Sequence, residues 1–265
     1  MQNQAHTSSQ DGYDPTYFDP LFAAEQRHFW FLGRNRILLR QLRKAFPRLP
    51  QEFQAVEIGC GTGNVLRVLE PFCGAAHLTG MDLFSEGLQF ARRRVHCGLV
   101  QADLHHPPFA RLFDLVGIFD VLEHIPEDEA VLASLRAMLS PRGIVLITVP
   151  AYPGLWSYFD EASHHVRRYT RPELVQKLER AGLKVRFCSY SMATIFPMVW
   201  LNRKVAAGGA VTDEQDVHDR AVDELRIVPG INAILAGLLS IEAWWLGNFW
   251  RLPFGTSLLA VAERS

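Results

Sequence analysis

The sequence predicts an α/β fold in which a mainly parallel sheet of seven strands carries helices on both faces. Two observations support this prediction: strand-length apolar segments alternate with segments of helical periodicity, and the first strand runs into a glycine-rich turn. A chain of 265 residues is long enough for one such domain with an additional element. We expect the strands near residues 53–58, 76–82, 97–101, 113–119, 142–149, 183–190 and 256–263.

The charge balance argues against a broad nucleic-acid-binding surface. The chain has 27 Lys and Arg residues against 28 Asp and Glu residues. Proteins that bind nucleic acid through its phosphates usually have a basic excess. The sequence therefore predicts no nucleic-acid partner.

The cysteines and the N-terminal residues predict a cytoplasmic protein. Cys60, Cys73, Cys97 and Cys188 are scattered without a Cys-x-x-Cys pair, so they indicate neither a zinc site of cysteines nor a disulfide framework. Residues 1–14 are polar and show no basic-then-apolar leader, and we expect them to be disordered.

The segment before the first strand is expected to be a helix that covers one edge of the sheet, where a ligand would bind. Residues 21–46 are amphipathic and contain an aromatic cluster at 28–31, so we predict one helix over this range. Together with the polar start, this helical cap forms the predicted region 1–50, and the core of the fold follows over residues 51–191.

The first predicted strand ends in a turn suited to a bound nucleotide. Gly59, Gly61 and Gly63 follow Glu57 at spacings of two, and helical spacing resumes after them. Glycine permits the sharp bend and the close ligand approach that a strand–turn–helix unit of this kind requires. A dinucleotide fingerprint would place a further glycine at Asn64, so the turn disfavours a nicotinamide cofactor.

Three carboxylates follow at the ends of the next predicted strands. Asp82 ends the second strand, Asp103 ends the third, and Asp120 follows the fourth. Because ligands of open α/β sheets bind outside the carboxyl ends of the strands, we expect these side chains to face one cleft. A carboxylate at the position of Asp82 can accept hydrogen bonds from both hydroxyls of a ribose.

In this order the motifs strongly resemble those of class I S-adenosylmethionine (SAM) methyltransferases. The resemblance covers residues 50–190 and implies a Rossmann-like sheet of seven strands. Segments outside that range are similar to a bacterial subgroup of these enzymes. The motifs that carry the resemblance are Glu57-x-Gly59-x-Gly61-x-Gly63, Asp82, Asp103-Leu104, Phe113-Asp114, Asp120-Val121-Leu122-Glu123-His124 and Leu139-Ser140-Pro141-Arg142-Gly143.

The resemblance implies SAM as the cofactor and S-adenosylhomocysteine as its product. By their places in the motifs, Glu57 and Gly59 would approach the methionine moiety. Asp82 would bind the ribose, and Asp103 with Leu104 would bind the adenine. The candidate cofactor-binding residues are Glu57, Gly59, Cys60, Gly61, Gly63, Asp82, Leu83, Asp103, Leu104, Phe119 and Asp120.

His124 is the candidate catalytic base. It follows the fourth strand, near where the methyl group would point, and an imidazole can remove a hydroxyl proton at neutral pH. The loop after the fifth strand carries histidines, arginines and aromatics that suit a carboxylate or phosphate on the acceptor. The alternative is structural, with His124 bonding its loop backbone and the loop charges solvated. The candidate acceptor-binding residues are Trp30, Glu123, His164, His165, Arg167, Arg168 and Tyr169.

Asp120, Glu123, His124 and His164 also resemble a metal-binding pattern. Ubiquinone-pathway O-methyltransferases and small-RNA 2′-O-methyltransferases have Glu-x-x-Glu-His with a distant His, by which a divalent ion orients the acceptor oxygen. Here Asp120 replaces the first glutamate and is one methylene shorter. Carboxylates and imidazoles are suitable ligands, but because of this replacement we expect no bound metal.

Residues 192–254 are predicted to form a helical insertion before the last strand, which lies in 255–265. Residues 231–250 approach the length of a membrane span, but polar residues such as Glu242 interrupt them, so we expect no span. Helical spacing of the apolar residues gives this segment one apolar face. The insertion is expected to act as a lid, a homodimer surface, or an entrance for a lipid-like acceptor with peripheral membrane contact through 192–250.

The sequence therefore predicts an enzyme that moves a methyl group from SAM to an oxygen of a small or lipid- or polyprenyl-linked metabolite. Transfer to nitrogen or carbon is less favoured. The alternatives are a non-catalytic SAM-fold binding module, because a fold alone does not prove activity, and a nicotinamide-dependent oxidoreductase. We expect the protein in the cytoplasm, either free or bound peripherally at the inner face of the membrane.

Overall fold

The computed structural model describes residues 17–50, 52–206, 220, 222–248 and 250–264. The expected disordered start, residues 1–14, lies outside this part of the chain.

One seven-stranded sheet organises the described residues. The spatial order of the strands is β3-β2-β1-β4-β5-β7-β6, in which β7 is antiparallel to both neighbours and the other pairs are parallel. The predicted fold class is confirmed, and each predicted strand overlaps an observed one. The strands are β1 (Ala55–Ile58), β2 (Leu78–Asp82), β3 (Gly98–Gln101), β4 (Phe113–Phe119), β5 (Leu139–Pro150), β6 (Leu183–Ser191) and β7 (Ser257–Arg264).

Helices pack on both faces of the sheet. Successive side chains of a strand point to opposite faces, so the central strands feed two apolar layers. In β4, Val116 and Ile118 pack into one layer, and Leu115 and Phe119 pack into the other. The helices are α1 (Phe18–Ala24), α2 (Phe29–Ala45), α3 (Leu66–Cys73), α4 (Ser85–Ala91), α5 (Asp128–Met138), α6 (Tyr158–Ala162), α7 (Arg171–Arg180), α8 (Phe196–Ala206) and α9 (Pro229–Asn248).

The segment before β1 consists of two helices rather than one. The prediction of a single helix over residues 21–46 is wrong, because the chain turns at His28 between α1 and α2. His28 has extended backbone (φ −70°, ψ 134°), and its ring accepts a hydrogen bond from Trp30 N as the N-cap of α2. Its own N–H donates to Ala24 O and so closes the end of α1.

Helix α9 of the predicted insertion packs along α2. Phe29 N donates to Asn232 Oδ1 and Gln41 Nε2 donates to Leu246 O, so the two helices run in the same direction. They approach closely at Gly33, the fifth residue of α2.

Glu242 fixes the start of α8 against α9. Its buried carboxylate accepts hydrogen bonds from the backbone N–H groups of Ala193 and Thr194 and from the Thr194 hydroxyl. By length and composition alone, α9 could cross a membrane. In the fold it instead packs against α2 and binds the chain ahead of α8 through this carboxylate.

We expect Gly33→Ala to destabilise the protein and Gly237→Ala to stabilise it. A Cβ at Gly33 would lie 2.6 Å from Leu239 Cδ1 and 2.9 Å from Leu239 Cβ. Such overpacking costs about 1–3 kcal/mol. A Cβ at Gly237 meets no described atom within 4 Å, and alanine in a helix is favoured over glycine by about 1 kcal/mol. Urea unfolding followed by circular dichroism measures both changes, and equal effects would contradict the close α2–α9 packing.

Candidate active site

The turn after β1 has a backbone that favours its glycines. Gly59, Gly61 and Gly63 have φ angles of +68°, +49° and +77°, a region that other residues rarely adopt. A Cβ at Gly59 would lie 2.3 Å from Val121 Cγ2, whereas the nearest atom to a Cβ at Gly61 is a Phe18 ring carbon at 3.8 Å. The backbone at Gly61 is therefore open to close approach by a ligand.

Asp82 at the end of β2 holds this turn in place. Its Oδ2 accepts a hydrogen bond from Gly61 N at 2.7 Å, and its Oδ1 accepts one from Phe84 N at 2.9 Å. Burial raises the pKa of Asp82, and these backbone donors oppose the rise. Each carboxylate oxygen keeps a lone pair that can accept a ribose hydroxyl.

Glu57 lies in β1 at the floor of the cleft. It is 2% exposed, and its Oε2 has no hydrogen-bond partner among the described residues. Burial raises the pKa of this carboxyl well above its usual range. A buried acceptor without a partner costs free energy, which a ligand ammonium group in the cleft would recover.

The other predicted cofactor residues lie around the same cleft, with one exception. Leu83 and Asp103 are exposed at its rim, whereas Leu104 and Phe119 are buried in its wall, and Cys60 lines the turn. The exception is Gly63, the third glycine of the turn. A Cβ there would lie 3.0 Å from the Cβ of Ala91, so this glycine serves the packing of α4.

Asp103 is held by its own loop. Its Oδ1 accepts a hydrogen bond from His105 N at 2.8 Å. This bond lowers the pKa of Asp103, which remains ionised at the cleft rim.

Asp120 is paired with Arg34 of α2. Its Oδ2 accepts a hydrogen bond from Arg34 Nη1 at 2.7 Å, and its backbone has a φ of +56°. The Arg34 guanidinium also lies 5.0 Å from the ring centre of Trp30. The ion pair thus ties the helical cap to the end of β4, and one oxygen of Asp120 is committed within the protein.

Glu123, His124 and His165 come together in the cleft. Their potential ligand atoms lie within 4.8 Å of one another, and the two imidazole rings meet edge to face. Burial raises the pKa of Glu123 well above its usual range and lowers that of His124 to about 3. His124 is therefore neutral at physiological pH and a weak proton acceptor.

These three residues offer donors suited to a divalent ion, but they are not the set that the sequence pattern suggested. The second histidine is His165 rather than His164, which is exposed and has a φ of +53°. Asp120, the expected fourth ligand, is bound to Arg34.

Asp160 orients His165. Its Oδ1 lies 2.8 Å from His165 Nδ1, and its carbonyl oxygen accepts from His165 N. Burial opposes ionisation, but hydrogen bonds from His165 and Arg168 lower the pKa of Asp160 overall. An ionised carboxylate at Nδ1 holds the ring proton there, so Nε2 carries the lone pair. That nitrogen lies 3.9 Å from Glu123 Oε1.

Two predicted acceptor residues do not line the cleft. Tyr169 is fully buried in the core, and its hydroxyl donates to Asp128 Oδ2 at 2.9 Å. Arg167 Nη1 pairs with the same carboxylate oxygen at 2.8 Å. Arg168 does line the cleft, but its Nε donates to Asp160 Oδ1 at 2.6 Å. Both arginines satisfy internal carboxylates, which corrects the expectation that they bind an anionic acceptor.

No sequence pattern indicates the hydrogen-bond network that joins α1 to the glycine turn. Glu25 accepts hydrogen bonds from the Thr62 hydroxyl and from Arg94 Nη1. Arg94 also donates to Phe22 O and lies 3.8 Å from the ring centre of Phe22. Glu25 and Arg94 are 69 positions apart, so no local pattern connects them.

The site residues line one continuous cleft of about 1650 Å³ at the carboxyl edge of the sheet. Small-molecule pockets typically have about 300–1000 Å³, so the cleft can hold a nucleoside and a second ligand together. Its apolar wall includes Phe29, Trp30, Phe159, Ile195, Met198, Val199 and Leu201.

The charges beside the turn fit a SAM-like ligand better than a dinucleotide. Glu57 is a buried carboxyl group next to the glycines, and it offers an acceptor where a pyrophosphate would need a donor. Asp82 suits the ribose of either ligand. The same carboxylates suit the ammonium group and the ribose hydroxyls of a nucleoside that carries an amino acid.

Comparisons with known sequences agree with a site for a SAM-like ligand. A sequence model of the family described as "Methyltransferase domain" matches residues 12–186. A ubiquinone biosynthesis O-methyltransferase of Haemophilus ducreyi is 26% identical over 178 residues, which cover 58% of this chain and 75% of the relative. A trans-aconitate 2-methyltransferase of Azoarcus is 31% identical over 134 residues, which cover 49% of this chain and 51% of that relative.

A solved structure has the same fold. It is an S-adenosylmethionine-dependent methyltransferase from Clostridium acetobutylicum, with a TM-score of 0.56 and 10% sequence identity. The match covers 88% of this chain and 91% of the other. At this identity the likeness shows the fold alone.

Asp82→Ala is expected to weaken binding of S-adenosylhomocysteine by roughly ten- to hundredfold, because it removes a charged acceptor for the ribose hydroxyls. Isothermal titration calorimetry measures the dissociation constant. Glu179→Gln, which removes an exposed carboxylate on α7, is the matched control and should bind as the wild type does. A folded Asp82→Ala variant with unchanged affinity would exclude the ribose contact.

Acidification should destabilise the fold through His124. The unfolded chain takes up this proton below pH 6.5, whereas the folded chain resists it down to about pH 3. The free energy of unfolding should therefore fall across that window, by up to about 1.4 kcal/mol per pH unit, with no contribution from His124 above it. Urea unfolding at stepped pH measures the slope. His124→Gln should reduce the slope of the free energy of unfolding against pH, whereas substitution of the exposed His106 by Gln should leave that slope unchanged. Identical slopes for the two variants would contradict the burial of His124.

Proposed function

Because the chain belongs to the methyltransferase-domain family, we propose that it transfers the methyl group of SAM to an oxygen of an apolar, lipid- or polyprenyl-linked metabolite. The enzyme class, the class I fold and the SAM cofactor predicted from the motifs are confirmed. The proposal concerns the acceptor and the atom that receives the methyl group.

The Asp160–His165 pair carries the proposal. A hydroxyl is a poor nucleophile until it loses its proton, so transfer to oxygen calls for a base. Asp160 fixes Nδ1 of His165, which leaves Nε2 to take the proton. We therefore assign the base to His165 rather than to His124, whose pKa of about 3 makes it a poor proton acceptor.

The remaining steps need only positioning by this chain. SAM, when bound, supplies a methyl group on a positively charged sulfur and leaves as neutral S-adenosylhomocysteine. Glu57 and Asp82 would hold its ammonium group and its ribose. As His165 takes the acceptor proton, the Asp160 carboxylate stabilises the resulting imidazolium. The helices beside the cleft would hold the acceptor oxygen in line for displacement.

The lining of the cleft supports an acceptor with a hydrocarbon part. Aromatic side chains of α2 and aliphatic side chains of α8 form much of its wall. Four arginines also line it. Arg34, Arg168 and Arg203 each pair with an internal carboxylate and are not available to an anionic acceptor, whereas Arg226 forms no ion pair among the described residues. The Haemophilus ducreyi relative is named for ubiquinone biosynthesis and for O-methylation, which agrees with this proposal.

We expect His165→Asn to lower kcat by roughly a hundredfold or more, because it removes the base, and to leave the affinity for S-adenosylhomocysteine unchanged. His124→Asn should lower kcat much less. The assay follows tritiated methyl transfer from SAM to a phenol that carries a polyprenyl chain. The same phenol without the chain is the matched acceptor and should give a lower kcat/KM.

The same assay can contradict each part of the proposal. Full activity of His165→Asn would exclude it as the base, and methylation of amines alone would exclude transfer to oxygen. Equal kcat/KM for the two phenols would exclude recognition of the chain. A chelator should leave the rate unchanged. Loss of activity that a divalent ion restores would instead indicate a metal held by Glu123, His124 and His165.

A further inference from the structure

Helix α9 has an apolar face that does not line the cleft. Ile231, Ile234, Leu238, Ile241 and Trp245 recur at spacings of three and four residues, so they share one side of the helix. Their exposed fractions range from 41% to 65%. The side of α9 that packs on α2 carries other residues, such as the buried Leu239 and Ala243. Large parts of these five side chains are therefore exposed to solvent.

Further tryptophans lie on the same helix and on its neighbours. Trp244 on α9, Trp200 on α8 and Trp250 after α9 are between 46% and 70% exposed. Tryptophan is enriched where proteins meet the interface between lipid and water, because its ring is apolar and its N–H is polar. This composition is typical of a helix that lies on a bilayer.

Helix α2 adds a basic stripe. Arg36, Arg40, Arg43 and Lys44 recur at helical spacing, and α2 contains no acidic residue. Arg36, Arg43 and Lys44 are exposed, and Arg40 is half-buried. The one acidic residue of α9, Glu242, is buried and bonded to the chain before α8.

The basic stripe borders α9. Arg36 Nη1 donates to Ala236 O at 3.0 Å. A Cβ at Gly247 would lie 3.0 Å from Arg40 Cδ. The positive charges therefore follow the same helix that carries the apolar face.

We propose that α2 and α9 together dock on an anionic membrane surface, with α9 lying in the plane of the interface. The apolar face would enter the boundary between headgroups and acyl chains, and the basic stripe would contact anionic headgroups. This inference does not rest on the identity of the acceptor.

Two other arrangements fit these observations less well. A membrane-spanning α9 would have to leave its packing on α2 and carry Glu242 into the bilayer. A second copy of the chain on this face would bring two basic stripes together, with no acidic residue exposed on α2 or α9 to pair with them. A lipid surface supplies both the apolar contact and the negative charge.

Docking would also bring the cleft close to the membrane. Met198 and Leu201 of α8 line the cleft and are 48% and 59% exposed. Glu242 ties the start of α8 to α9, so these side chains belong to the same packed unit as the apolar face. An acceptor dissolved in the bilayer would meet an apolar opening.

Co-sedimentation of the full chain with vesicles tests the docking. The wild type should bind vesicles of phosphatidylcholine with phosphatidylglycerol, and bind vesicles of phosphatidylcholine alone far more weakly. The double variant Ile234→Asp, Ile241→Asp should lose binding, whereas Leu112→Asp, at an exposed leucine before β4, should keep it. Affinity for S-adenosylhomocysteine should be unchanged in all variants and serves as the test of folding.

A charge-matched pair tests the basic stripe. Arg40→Gln with Arg43→Gln should weaken binding to the anionic vesicles by roughly thirtyfold. Arg92→Gln with Arg142→Gln, which removes two cations elsewhere on the surface, should change it little. Added salt should reduce the wild-type binding.

The proposal fails if the wild type does not bind anionic vesicles, or if the aspartate variant binds as well as the wild type. A wild-type dimer that the aspartates split, in the absence of vesicle binding, would assign the face to a second copy. Vesicle binding is measured without turnover, so its failure would leave the proposal of O-methyl transfer standing.

Discussion

One buried carboxylate, that of Asp160, organises the side of the cleft that we propose for the acceptor. It accepts hydrogen bonds from Ser157 N at the start of α6, from Arg168 Nε in the following loop and from Arg203 Nη1 on α8. The same group fixes the ring of His165. Removing one partner from a buried charged pair costs about 3–5 kcal/mol, so each of these elements is held to one arrangement. The loop, the start of α6, helix α8 and the ring of His165 therefore depend on a single side chain.

On the side of the cleft predicted to bind SAM, the backbone rather than a buried charge positions most of the groups. The glycine turn has positive φ angles that fix the path of the chain, and Gly61 N and Phe84 N converge on the Asp82 carboxylate. The parallel pairing of β1 with β2 and of β2 with β3 brings these groups to one edge of the sheet.

This contrast explains how much the sequence could predict. The glycine turn, Asp82 and the strands are local patterns, so they are recognised from spacing alone. The loop from His164 to Tyr169 has no periodicity, and its neighbours point in different directions: His165 faces the cleft, whereas Tyr169 enters the core. Arg34 and Asp120 are 86 positions apart, and only the fold brings them together. Hence the sequence pattern named residues that line the cleft beside the glycine turn, with Gly63 as the exception. It could not show which of the neighbouring imidazoles, His124 or His165, is oriented by a carboxylate.

Helix α2 links both halves of the cleft to the surface. On its inner side Arg34 holds Asp120, and Asn35 Nδ2 donates to the side chain of Asn64 in the turn. Along its length it packs against α9. Because a rigid helix moves as one body, a contact that restrains α9 also restrains α2. It therefore restrains the inner side of α2, which contacts Asp120 and the glycine turn. Displacement of α2 must break these contacts. A surface that binds α2 and α9 together in this arrangement would raise the free energy of that displacement by its differential affinity for the packed state.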